Sequence, residues 1–135
     1  MSMPESPPDP RMVTNTQIAN DVMAHVNSDA TDDTPIWDKH WSRDCVSVEA
    51  DGSEHAGREA MEKKYEWFFN AFTVHDCKAE GPFVSPDGFS IIFEVDMEPK
   101  DGSFPRMTSK EVAVYTVTDG KVTRETFMCA PQEGC

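Results

Sequence analysis

The sequence predicts an α+β fold, with helices packed on one face of a curved, mainly antiparallel sheet. Two observations carry this prediction. Segments with helical apolar spacing come first, and the second half is a series of alternating runs punctuated by Pro-Asp-Gly and Asp-Gly turns. At 135 residues, 38% of them hydrophobic, the chain suffices for one domain with a single core.

The elements follow in order. The opening "MSMPESPPDPRMVTN" is rich in Pro, Ser and Asp and has no apolar period, so residues 1–14 read as a disordered lead-in. A first helix is expected from Asn15 or Thr16, with Ile18, Val22, Met23 and Val26 on one face. "NSDATDD" ends it, and Thr34-Pro35 caps a short second helix that carries Ile36, Trp37, His40 and Trp41 inward. "CVSVE" is a strand turned by Asp51-Gly52. A third helix, from about Gly57 to Phe72, puts Met61, Tyr65, Phe68, Phe69 and Phe72 on one stripe and Arg58, Glu62, Lys63 and Lys64 elsewhere. Sheet follows: "TVHDCKAEGPFVS", "FSIIFEVDM", "MTSKEVAVYTV", the Asp119-Gly120 hairpin and "KVTRETFMCA". The expected division is one domain over residues 15–130 with a flexible tail at 131–135.

A formal charge of −13 repels phosphate, so nucleic acid and anionic membranes are not expected partners. No charge-free apolar run reaches membrane-spanning length and no basic-then-apolar leader opens the chain, so a cytoplasmic location is expected. The cysteines Cys45, Cys77, Cys129 and Cys135 form no Cys-x-x-Cys pair and read as free thiols, Cys135 being open to an adventitious disulfide. No metal and no cofactor are expected.

The stretch "WSRDCVSVEADGSEHAGREAMEKKY", with "VHDCKAEGPFVSPDGFSIIFEVDMEPKDG" and "EVAVYTVTDGKVTRETF", resembles the nuclear transport factor 2-like superfamily. Within it the chain is similar to the SnoaL-like branch of polyketide cyclases and ketosteroid isomerases, over roughly Thr16 to Met128. The resemblance implies a cone-shaped α+β barrel with a deep apolar pocket, and often a homodimer. An ungapped match to the general-base segment of ketosteroid isomerases places Glu49 at the base position. A register anchored on "GREA" places Ala50 there, and we take the ungapped one because it keeps a carboxylate. The isomerase's oxyanion-hole Tyr falls near Val22 and its protonated Asp at Ala113. Without those donors ketosteroid isomerisation itself is not expected.

If Ala113 faces the pocket, alternation turns Glu111, Tyr115 and Val117 inward, and on the last strand Glu125, Phe127 and Cys129. Glu49, Glu111 and Glu125 then form a set whose burial and mutual repulsion split acid from base. The plainer reading has these glutamates solvated or paired with Arg106, Lys110 or Arg124. His75 is the candidate proton shuttle; His55 is expected to be exposed, and no spacing singles out His25 or His40. Trp37, Trp41, Trp67, Phe72, Tyr115 and Phe127 are expected both to build the core and to line the pocket. The ligand so implied is a small, largely apolar carbonyl-type metabolite. The expected chemistry is cofactor-independent isomerisation, cyclisation or dehydration by general acid/base catalysis. The alternative is a non-catalytic ligand-binding or dimerisation module, or an adaptor with an exposed apolar patch around Val112, Val114 and Met128.

Overall fold

The computed structural model describes residues 7, 9–28, 30 and 32–131. Helix α1 (Pro10–Asn27) starts ahead of the expected Asn15. The reason is local: the Asp9 carboxylate accepts the Arg11 amide at 2.9 Å, and Pro10 occupies a first-turn position that needs no N–H. Residues 10–14 are therefore helix and not lead-in, while residues 1–6 and 8 of that lead-in, and 132–135 of the tail, lie outside the described residues.

Helix α2 (Thr34–His40) begins on Thr34-Pro35 as expected but stops at His40. Trp41 opens strand β1 (Trp41–Val48) instead, where it pairs with Val122. After the turn at Gly52 (φ +89°), strand β2 (Glu54–Ala56) pairs back on β1. Helix α3 (Arg58–Ala71) follows the predicted stripe closely. Its first residue, Arg58, pairs with Asp38 and lies 5.3 Å from the centre of the Trp37 ring, which ties α3 to α2.

Strands β3 (Phe72–Ser85), β4 (Gly88–Pro99), β5 (Met107–Thr118) and β6 (Lys121–Cys129) complete a six-stranded sheet of order β2-β1-β6-β5-β4-β3. Pairing is antiparallel except between β1 and β6. Three helices on a curved sheet make the expected α+β cone. The core joins Ile18 and Val22 of α1 to Met61 of α3 and to Ile91, Ala113 and Val122 of the sheet.

Two polar details fix the layers. Asn15, 1% exposed, donates its side-chain amide to the carbonyls of Ser85 (2.8 Å) and Pro86 (3.2 Å), strapping α1 to the β3–β4 turn. Gly88 lies so close to β5 that a Cβ would meet the Tyr115 carbonyl oxygen at 1.9 Å. Cys45 and Cys77 are free, and burial pushes their thiols up to about 12 and about 11. Cys129 is disulfide-bonded, which corrects the reading of free thiols; no Cys-x-x-Cys spacing marks it. No helix is long and apolar enough to cross a membrane among the described residues.

Candidate functional site

A cavity of about 1190 Å³ lies between the helices and the sheet. Strand alternation supplies its floor in rows. Met97 faces Met107, Val95 faces Ser109, and Phe93 faces Glu111, which in turn faces Cys129. Tyr115 and Glu125 stand opposite each other one step deeper, past Ala113 and Phe127. Glu111, Tyr115, Glu125, Phe127 and Cys129 all line the cavity, as alternation required. Val117 instead packs against the core.

Glu125 is 1% exposed. Its Oε1 accepts the Trp41 indole N–H at 2.9 Å, and its Oε2 accepts the Tyr65 hydroxyl at 2.9 Å and the Ser47 hydroxyl at 3.2 Å. Burial still raises its pKa, against the opposing Lys64 charge and those three donors. Lys64 reaches in from α3 and donates to Ser47 Oγ at 2.8 Å. Its ammonium pairs with Glu49 Oε1 at 2.7 Å and lies 4.4 Å and 4.8 Å from the ring centres of Phe127 and Tyr65. Glu49 follows β1, where a tight turn holds its backbone: its N–H donates to Ser53 O and its carbonyl accepts from Gly52, both at 2.9 Å. His55 Nε2 is 3.6 Å from the same Glu49 oxygen, and His55 lines the cavity, half-buried instead of exposed.

Glu111 differs from the other two acids. Its carboxyl makes no hydrogen bond among the described residues, and burial raises its pKa, opposed by Lys64 and reinforced by the charges of Glu49 and Glu125. The arrangement can therefore offer a proton-holding acid and a carboxylate on one cavity wall, both within the influence of one ammonium. None of the three glutamates pairs with Arg106, Lys110 or Arg124: Arg106 pairs with Asp96, and Arg124 reaches Glu54.

Other expectations need correction. His75 is the residue bulged out between Val74 and Asp76 of β3, and its ring pairs with Glu98 at 3.0 Å instead of a cavity glutamate. Phe72 does not line the cavity; its ring packs behind the wall, 5.2 Å from Phe68 and 5.9 Å from Phe104. Trp67 lines the mouth but is 65% exposed, so it is not core. Trp37, Trp41, Tyr115 and Phe127 stand in the wall as expected. Also in the wall, His25 pairs with Asp33 at 2.9 Å and links the end of α1 to the start of α2. No grouping of three or more His, Cys, Asp or Glu that could hold a metal occurs among the described residues.

Lys64 and Ser47 are the site residues the sequence reading missed. The signal for Lys64 was present: it follows Met61 by three positions and precedes Phe68 by four, which puts it at the margin of the apolar stripe.

A family model for the SnoaL-like domain matches residues 13–129. The chain belongs to the SnoaL-like family. A Mesorhizobium loti protein, provisionally named both a SnoaL-like polyketide cyclase and a carbohydrate phosphatase, is 33% identical, with 83% of this chain and 96% of that one covered and a TM-score of 0.74. A provisionally named SnoaL-like polyketide cyclase from Jannaschia is 14% identical, covers 96% and 94%, and has a TM-score of 0.71. A Catenulispora acidiphila protein of ketosteroid isomerase-like fold, solved with trimethylamine, is also 14% identical over 85% and 86%, with a TM-score of 0.66. At that identity the last two establish the shared SnoaL-like architecture alone. No curated protein matches the chain.

Proposed function

We propose that this SnoaL-like protein is a cofactor-independent general acid/base catalyst acting on a small, largely apolar carbonyl compound. The observation that carries the reading is the Glu49–Lys64–Glu111 grouping on the cavity wall, with Glu111 making no hydrogen bond among the described residues and Glu49 held at 2.7 Å by the ammonium. Glu49 is the base that removes a proton from the carbon next to the carbonyl. Glu111, which burial keeps protonated to higher pH, hydrogen-bonds the carbonyl oxygen and gives it the proton as the enol forms. Lys64 supplies positive charge where negative charge develops, the part the absent Tyr and Asp donors play in ketosteroid isomerases. Return of the proton from Glu49 to another carbon of a conjugated enol, with the enol O–H proton going back to Glu111, regenerates the carbonyl and both side chains and completes an isomerisation. Glu125, with both oxygens occupied by three donors, holds Trp41, Tyr65 and Ser47 in place and does not itself touch the substrate.

The test is hydrogen–deuterium exchange, read by proton NMR, on cyclic and aromatic ketones incubated with the protein in deuterium oxide. Wild-type protein should exchange the protons next to the carbonyl, and Glu49→Gln and Glu111→Gln should each slow exchange by about 10²–10⁴-fold. A wild type no faster than buffer on every ketone removes the catalytic reading and leaves a ligand carrier.

A further inference from the structure

We propose that the cavity's ligand carries a long apolar tail, running from the Glu111 end outward to Trp67 and Phe104. The inference deepens the proposed function, on which only its carbonyl head group rests.

The chemistry of the wall changes along its length. At the inner end stand Tyr115, Glu125 and Glu111, and Lys64 lines the same cavity. Outward along β5 and β4 the rows become Ser109 with Val95, then Met107 with Met97. The four residue steps from Glu111 to Met107 span about 13 Å at roughly 3.3 Å per residue. The wall then continues onto Phe104, in the loop between β4 and β5, and Trp67 on α3. The volume of about 1190 Å³ exceeds the roughly 300–1,000 Å³ of ordinary small-molecule sites. A compact carbonyl compound held at Glu111 would leave the outer rows empty.

The outer rows are also unfinished. Trp67 is 65% exposed and Phe104 39% exposed, although Phe72 packs behind both, 6.2 Å from Trp67 and 5.9 Å from Phe104. Two exposed aromatic rings backed by a third, continuous with an apolar channel, are what the end of an alkyl chain would cover. The methionine pair beneath suits a flexible chain, because Met adapts its shape to what it contacts. His75 and Asp76 on β3 border the same cavity with polar groups, so the apolar path runs along β4, β5 and α3.

The experiment measures binding of 2-pentanone, 2-heptanone, 2-nonanone and 2-undecanone by titration calorimetry, with 1-nonanol as a tail without a carbonyl. The dissociation constant should fall by about fourfold per added methylene until the tail reaches the rim, then level off. The double variant Trp67→Ala/Phe104→Ala, changed only at exposed positions, should bind 2-pentanone like wild type but 2-undecanone roughly tenfold more weakly. A dissociation constant independent of chain length, no binding by any of these compounds, or equal weakening of all ketones in the double variant overturns the tail. If 1-nonanol binds as tightly as 2-nonanone, the tail stands and the carbonyl head of the proposed function falls.

Discussion

Burying a carboxylate costs hydration that Trp41, Tyr65 and Ser47 return only in part, so folded Glu125 holds its proton to higher pH than the unfolded chain does. The linkage has a definite sign. Because the folded form binds the proton more tightly, the stabilisation is complete below the ordinary value of 4.5 and is lost as pH rises through the raised value. Glu111 and Asp33, raised mainly by burial, act in the same direction. Asp21 and Asp96 are lowered by their hydrogen bonds to His40 and Arg106, so their contribution is lost only as pH falls below 3.8. Thermal melts at stepped pH should therefore show wild-type stability declining above 4.5 and a shallower decline in Glu125→Gln. At acid pH that variant should lose about 1 kcal/mol, the worth of one hydrogen bond in the trio. Parallel curves for the two proteins would contradict the assignment of the slope to Glu125.

Among the elements, the β3–β4 hairpin shows how backbone contact shapes the cavity wall. Gly88 has no room for a methyl group against the carbonyl of Tyr115, and Tyr115 is itself wall. Gly88→Ala should cost about 1–3 kcal/mol, read by denaturant unfolding, and should weaken ketone binding as Tyr115 is displaced. A variant as stable as wild type would mean that the hairpin yields easily. The elements themselves were legible where side-chain period decides: α3 along Met61 and Tyr65, and the inward face of β6 at Glu125 and Phe127. They were misread where one residue sets a boundary. Asp9 moved the start of α1, and pairing with Val122 drew Trp41 out of α2 and into β1. The bulge at His75 depends on strand pairing that no local pattern encodes, whereas Lys64 sits at the margin of the α3 stripe, where period alone does not say which way a long side chain turns. For that reason strand alternation placed Glu111 and Glu125, while Lys64 at the stripe's margin was passed over.

For the molecule as a whole, 25 acidic residues face 12 Lys and Arg. Surface pairs such as Lys39–Asp21 and Lys63–Glu59 offset little of that repulsion. Screening should help: the melting temperature should rise by roughly 2–4 °C as the Debye length falls from about 30 Å to about 10 Å with added salt. A flat or falling temperature would mean that salt-sensitive attractions outweigh the surplus charge. At the cavity wall the Lys64–Glu49 pair, with side chains 12% and 34% exposed, is screened less than the surface pairs. The Trp41–Glu125 bond joins positions 84 residues apart, which gives the site an order in time. A ribosome completes the helices and five strands before it makes β6, the strand that brings Glu125 and Phe127. Until then the nascent chain carries Lys64 and Glu49 with one wall of the chamber missing, so the site comes into being only once β6 is made and as a single event.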